Sequence, residues 1–291
     1  YFFAKINKTP LIIAATGKLY PVIINNMSYK KKIYWHLFIR RILSYSYIHF
    51  TSEQERNKCT SLLKNKNQSL IINTGTSLIE RKSDLLEKTN GIKKIDKSIN
   101  TLLFLGRIHP IKGLEDLIKT FNEVLKFYPN TALIIAGPDE GVYKNQLIKL
   151  SKILDLEYMD LKCMRIPETD ISKKIIFTGL VNEVEKVWLL DNCDIYTQFS
   201  ISEGFSNSII EAMAMEKPVS VSIGCNFPAI DQNNLGLIGN GVNKHTKNIV
   251  SLIDNKELAK NYGINGFKYI QENYSWQKIA KIASEQINHI V

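Results

Sequence analysis

From Asn100 to Ser222 the chain keeps returning to one two-part pattern, a short apolar run followed by a longer amphipathic stretch. The runs are "TLLFLG", "TALIIAG", "KIIFTG", "DIYTQFS" and "PVSVS", with helices expected from Leu114, Val142 and Asn182 and across Ile209–Met215. Parallel strands need a crossover long enough to hold a helix, and strands covered on both faces read as continuous apolar runs, so this alternation specifies a parallel sheet with helices on both faces. The first third repeats the pattern more sparsely, with "LIIAAT", a basic helix, "YIHFTS", a helix from near Glu53 and "SLIINTG". The expected class is α/β, two Rossmann-like doubly wound domains of which the first is incomplete. Leu78–Asn100, polar and rich in charge, reads as the linker. That places a partial first domain at 1–83, a second domain at 84–270, and a C-terminal helix at 271–291 packing back toward the first. "DLEYMDLKCMRIPETDISKK" reads as a surface excursion of the second domain.

A chain of 291 residues with 44% hydrophobic content has enough material for two cores. No apolar run approaches the roughly 20 residues of a membrane span, and "TPLIIAATG" lacks a signal-peptide cleavage pattern. Cys59, Cys163, Cys193 and Cys225 form no C-x-x-C pair and fit reduced thiols in a cytosol, while the five histidines show no metal spacing. Charge is unevenly placed: residues 1–99 hold 18 Lys and Arg against 6 Asp and Glu, and the rest hold 20 against 22. Within the basic part, Lys30, Lys31, Lys32, Arg40 and Arg41 share a helix with Tyr34, Trp35, Leu37 and Phe38. Such a helix suits an anionic membrane surface, or else packs on its own sheet with its lysines in water. Nothing beside the charge resembles a nucleic-acid-binding signature, so no nucleic-acid partner is expected.

Two segments carry candidate chemistry. In "SISEGFSNSIIEAMAMEKPVSVS", Glu203 and Glu211 stand eight residues apart, with Glu211 inside a helix whose other residues are apolar. A buried carboxylate costs several kcal/mol, on the order of the penalties for unpaired ions, unless donors meet it. Ser206, Asn207 and Ser208 are good N-cap types, so the helix is expected to begin there, with Glu203-Gly204-Phe205 as the turn feeding an anion-binding terminus. In "LLFLGRIHPIKGLEDLI", Gly106 and Arg107 end a strand and Lys112-Gly113 open a helix. A forked guanidinium and a point-charge ammonium at the carboxyl end of a strand suit a diphosphate.

Together, "FLGRIHPIKGLEDLI", "ALIIAGP", "IIFTGLV", "SEGFSNSIIEAMAMEKPVSVS" and "NYSWQKIA" resemble the retaining glycosyltransferases of family 4 (glycosyltransferase group 1), which have the GT-B fold. "IGCNFPAI" is similar to the C-N-F-P-E loop of members that assemble polysaccharides. The resemblance implies that Glu203 contacts hydroxyls of a donor sugar and Glu211 the nucleotide ribose. It implies Arg107 and Lys112 on the diphosphate, with Gly106, Gly204, Phe205, Ser206 and Asn207 lining its cradle. Gly179, Leu180 and Val181 fall near the base, and Thr16 and Gly17 on the acceptor-side loop. Glu203, Arg107 and Lys112 would carry the chemistry, without a metal or cofactor beyond the nucleotide-diphosphate sugar. The implied function is sugar transfer to a saccharide or lipid-linked acceptor in surface polysaccharide or lipopolysaccharide assembly, in the cytoplasm or peripheral at the inner membrane face. Departures are Thr16 where many relatives carry histidine or arginine, Glu216 for a glycine, and Ala229 for the glutamate of C-N-F-P-E. With the short first domain, they keep open a second expectation, a truncated, non-catalytic nucleotide-sugar-binding or interaction protein. A sugar-nucleotide epimerase of the same fold is disfavoured by missing histidine-rich signatures.

Overall fold

The computed structural model describes residues 1–14, 19, 27–59, 69–89, 95–139, 141–161 and 171–290. They form two compact units, Tyr1–Gly75 with Tyr274–Val291, and Thr76–Asn273.

The first unit holds a parallel sheet of β1 (Ile12–Ala14), β2 (Tyr47–Phe50) and β3 (Ser69–Ile71), in that order. Its described helices are α1 (Phe2–Ile6), α2 (Tyr29–Tyr34), α3 (Arg40–Tyr45) and α4 (Glu53–Lys58), with a π-helical turn at Trp35–Ile39 joining α2 to α3. A π turn adds a residue to the helical repeat and rotates the helix beyond it. Trp35 and Leu43 consequently reach the core beside Ile48 and Phe50, while Tyr34, Leu37 and Phe38 stay exposed. The basic helix therefore packs its tryptophan inward, and Lys30, Lys31, Lys32, Arg40 and Arg41 face solvent with the remaining aromatics.

The second unit begins earlier than the sequence suggests. The stretch read as a linker contains α5 (Leu78–Glu87), anchored by buried Leu78 and Leu85; two well-spaced leucines suffice to dock an otherwise polar helix. Next come β4 (Asn100–Leu105), α6 (Leu114–Leu125), β5 (Thr131–Ala136), α7 (Tyr143–Ile153), β6 (Glu157–Asp160), β7 (Lys174–Gly179), α8 (Glu183–Asn192), β8 (Ile195–Gln198), α9 (Asn207–Ala214) and β9 (Val219–Ser222). The unit continues through α10 (Ala229–Gln232), β10 (Gly236–Gly239), α11 (Val242–Asp254) and α12 (Lys256–Tyr274), and α13 (Trp276–Asn288) returns to the first unit. The supposed surface excursion supplies β6, which a polar composition disguises because, among the described residues, it is an edge strand paired with β7 alone.

All seven strands run parallel in the order β10-β9-β8-β4-β5-β7-β6. The chain builds outward from β4 in one direction through β5 and in the other through β8, so β4 and β8 flank the topological switch point, where open α/β sheets take their ligands. Leu102, Phe104, Leu133, Ile135, Ile175 and Phe177 fill the core against Leu117, Ile118 and Phe121 of α6. Glu216, where the resembled family has glycine, takes φ 59. Its carboxylate pairs with Lys82 of α5 at 2.7 Å, so the turn accepts a side chain that a neighbouring helix holds.

Candidate active site

Two loops leave the sheet at the switch point. After β4, the chain passes Gly106, Arg107 and a 3-10 turn at Pro110–Lys112, whose start is fixed by His109 Nδ1 accepting from the Ile111 N–H at 3.2 Å. Gly113 then turns into α6 with φ 65, and a Cβ there would lie 1.9 Å from the Phe199 carbonyl oxygen, so only glycine lets the two loops meet. Two residues beyond Phe199, Ile201 N–H donates to the Ile111 carbonyl at 2.8 Å.

That contact delivers Lys112 to Glu203. Oε1 of Glu203 accepts from Lys112 Nζ at 2.6 Å, Ser200 Oγ at 2.7 Å and Gln198 Nε2 at 3.1 Å. Oε2 accepts no hydrogen bond among the described residues. The "IGCNFP" segment braces the backbone from behind: Gly224 C=O accepts from Glu203 N–H at 2.9 Å and Asn226 Nδ2 donates to Glu203 C=O at 2.6 Å. Gly224 is needed for the approach, since a Cβ would stand 2.2 Å from the Ser200 carbonyl oxygen. Lys112 and Glu203 expose only 17% and 12% of their side chains, so the pair sits in a site screened less than a surface pair.

Glu211 finds the donor that a buried carboxylate needs inside the protein. Lys186 Nζ donates to Glu211 Oε1 at 2.6 Å, and Oε2 again accepts nothing among the described residues. Lys186 comes from α8, whose start is fixed by a capping box between Asn182 and Glu185 directly after Gly179, Leu180 and Val181. Gly179 takes φ 72 and Leu180 projects into solvent.

The helix bearing Glu211 begins where expected, with Ser206 at the N-cap, yet Ser206 makes no capping bond. Its hydroxyl donates instead to Gln198 Oε1 at 2.9 Å. The first-turn amides of α9, starting at the exposed Asn207, thus lack the side-chain oxygen that ordinarily satisfies one of them. Tyr196, fully buried between these groups, has its phenol pushed well above the ordinary range by burial, and the charges of Glu211 and Glu203 push the same way, so it remains a neutral donor.

Lys112, Glu203, Glu211 and the start of α9 are therefore brought together, and Gly106 lies under Lys112, with its notional Cβ position 3.9 Å from Lys112 Cε. Arg107 is exposed at the loop's entrance. Thr16 and Gly17 lie outside the described residues. Sequence reasoning missed Lys186, Gln198 and Ser200. A glutamine in the otherwise apolar "DIYTQF" was the available signal for the second.

A doubly wound parallel sheet with polar loops gathered at its switch point defines the α/β domains that hold ligands outside their strand ends. The particular family follows from comparison: the chain belongs to the glycosyl transferases group 1 family, whose model matches residues 87–269. It is 26% identical over 290 residues to an uncharacterized glycosyltransferase of Methanocaldococcus jannaschii, covering 97% of this chain and 69% of that one. It is 27% identical over 180 residues to the alpha-monoglucosyldiacylglycerol synthase of Acholeplasma laidlawii, covering 60% of this chain and 40% of that one. Among solved structures it is similar to Anabaena HepE in complex with UDP, with TM-score 0.78, 16% identity, and coverage of 99% of this chain and 74% of that one. The α/β fold is accordingly that of GT-B glycosyltransferases.

Proposed function

We propose that the chain binds a nucleotide-diphosphate sugar at the switch point of its second unit and transfers the hexose-type sugar with retention. The observation that carries this reading is the pair of carboxylates tethered by lysines through one oxygen each, on either side of a helix start that its own N-cap leaves open. Oε2 of Glu203 is left for a sugar hydroxyl and Oε2 of Glu211 for a ribose hydroxyl. Lys112 spends one of its three N–H donors on Glu203 and keeps two for phosphate oxygens. With Arg107 and the helix start from Gly204 to Asn207, it stabilises the charge that grows on the diphosphate as its bond to the sugar breaks. The acceptor hydroxyl attacks from the face the diphosphate leaves and gives its proton to the departing phosphate, so retention needs no protein nucleophile. Two cations neutralise the leaving group without a metal. Calorimetric titration with UDP, GDP, ADP and their sugars tests this: one family of nucleotides binds, and Lys112→Ala weakens it. Binding of none, or an unaffected Lys112→Ala, removes the reading.

The acceptor is a saccharide or a lipid-linked acceptor, in surface polysaccharide or lipopolysaccharide assembly, met at the inner membrane face. The support is the exposed set of Lys30, Lys31, Lys32, Arg40 and Arg41 beside exposed Tyr34, Leu37 and Phe38. Each basic residue is worth about 1 kcal/mol near an anionic leaflet, so the set holds the protein reversibly. Pelleting with anionic vesicles that disappears in molar salt is expected; equal, weak pelleting with neutral and anionic vesicles removes the membrane claim.

A further inference from the structure

Gln198 is completely buried at the end of β8, and both polar atoms of its amide are in use. Oε1 accepts from three hydroxyls, Tyr196 at 2.8 Å, Ser206 at 2.9 Å and Ser208 at 3.0 Å. Nε2 donates to Ser200 Oγ and Glu203 Oε1, both at 3.1 Å. The orientation of the amide has one solution: a carboxylate only accepts, so the NH2 must face Glu203, and the oxygen is thereby turned toward the hydroxyls. One side chain thus joins the carboxylate at the loop to the two serines that open the helix bearing Glu211. It also draws the Ser206 hydroxyl away from the helix amides, the reason that terminus is uncapped.

We propose that Gln198 is a positioning residue that sets recognition of the donor's sugar: by engaging Oε1 of Glu203, together with Ser200 and Lys112, it fixes the orientation in which the carboxylate meets the sugar hydroxyls. This rests on the reading of Glu203 as the sugar contact. Ser200 and Lys112 fix the same oxygen from other sides, so Glu203 is held by three donors. Gln198 and Ser200 are buried, whereas Lys112 keeps 17% of its side chain exposed. A purely structural account, in which the amide fills a polar hole, predicts lost stability but no change in discrimination between a nucleotide and its sugar conjugate.

The test uses the whole chain and the affinity ratio between UDP-glucose, GDP-mannose or ADP-glucose and the matching diphosphate, with thermal unfolding recorded for each variant. Gln198→Leu lowers the ratio about tenfold, the loss of one hydrogen bond to a charged group. Gln198→Glu keeps an acceptor for the hydroxyls but sets a carboxylate against Glu203, with Lys112, Tyr196, Cys225 and Glu211 the other titratable groups facing this cluster. At pH 8 its ratio falls like that of the leucine variant. As pH drops toward 6 the facing carboxylates share a proton, an O–H donor to Glu203 is regained, and the ratio recovers relative to the wild type at the same pH, a comparison that removes the titration of the diphosphate's own terminal phosphate. A folded Gln198→Glu protein with a wild-type ratio overturns the proposal, as does a ratio lowered to the same extent at every pH. Glu203→Ala separates the underlying reading: if it leaves the wild-type ratio unchanged, Glu203 does not meet the sugar and both claims fall.

Discussion

The two lysine–glutamate pairs of the second unit look alike in length, both 2.6 Å, and differ in how firmly they are held. Glu203 has three donors on one oxygen and a backbone pinned at both its N–H and its C=O, whereas Glu211 rides on a helix and is held by Lys186 alone among the described residues. An oxygen fixed by several elements returns to the same place after each turnover, which suits a group whose geometry must match a transition state. A carboxylate on one flexible partner suits a group that only binds. Under the proposed function, the loop glutamate serves alignment and the helix glutamate affinity.

That contrast is open to direct attack. The largest effect is expected from Lys112→Ala, which leaves Glu203 without its cation and the diphosphate with one of its two counter-charges; transfer should fall on the order of 100-fold, measured as kcat/KM with the sugar nucleotide that binds. Gly224→Ala comes next. Its methyl group meets the Ser200 and Ile201 carbonyls at 2.2 and 2.5 Å, so the brace must shift, and Glu203 moves with it. Transfer should drop about tenfold or more while diphosphate affinity stays close to wild type, because a misplacement of about 1 Å suffices for such a loss. Glu211→Ala should behave oppositely, weakening the bare nucleoside diphosphate roughly tenfold with a smaller change in kcat; a loss confined to kcat would erase the distinction. Lys186→Met should weaken the same nucleotide only a few-fold, since it removes a tether rather than a contact.

The smallest effect sharpens the conditions of the comparison. His245 of α11 stacks on Phe199 with ring centroids 3.6 Å apart, and burial pushes its imidazole down to about 4, with Asp116 opposing weakly. The unfolded chain takes up this proton near pH 6.5 and the folded one does not until about 4, so the contribution to stability is complete above pH 6.5 and fades as pH falls to 4. Denaturant titrations should show this slope, and His245→Phe should flatten it. The two pairs are therefore best compared at pH 7 and above.

The central strands were legible because strands buried on both faces are mostly apolar. Leu102–Leu105, Leu133–Ala136 and Ile175–Phe177 are all fully or nearly fully buried. β6 was not, since an edge strand keeps Glu157 and Asp160 in water, and neither was α5, docked by two leucines in a charged stretch. The positions of Lys112, Glu203 and Glu211 followed from strand ends and a helix start. Their partners did not: Lys186 lies 25 residues before Glu211 and Gln198 reaches the serines of another element, and such pairings exist only once the sheet order is set. Ser206 shows the limit most plainly, being a correct N-cap by residue type whose hydroxyl tertiary structure redirects.

Gln286 of α13 grips both polar groups of Ile71, its Oε1 accepting from the N–H at 3.0 Å and its Nε2 donating to the C=O at 2.9 Å, across 215 residues of sequence. On a ribosome the chain emerges in order, so β3 is made long before the residue that completes its bonding. At roughly 5–20 residues per second the interval is on the order of ten seconds or more, during which the first unit waits with a strand edge open while the second is synthesised and folds. The small sheet is begun before the second unit and gains its bonds to Gln286 only after it, which makes it the segment where a chaperone has time to act. Arrested chains should show this as a protease-sensitive first unit that becomes resistant only when α13 is out of the exit tunnel.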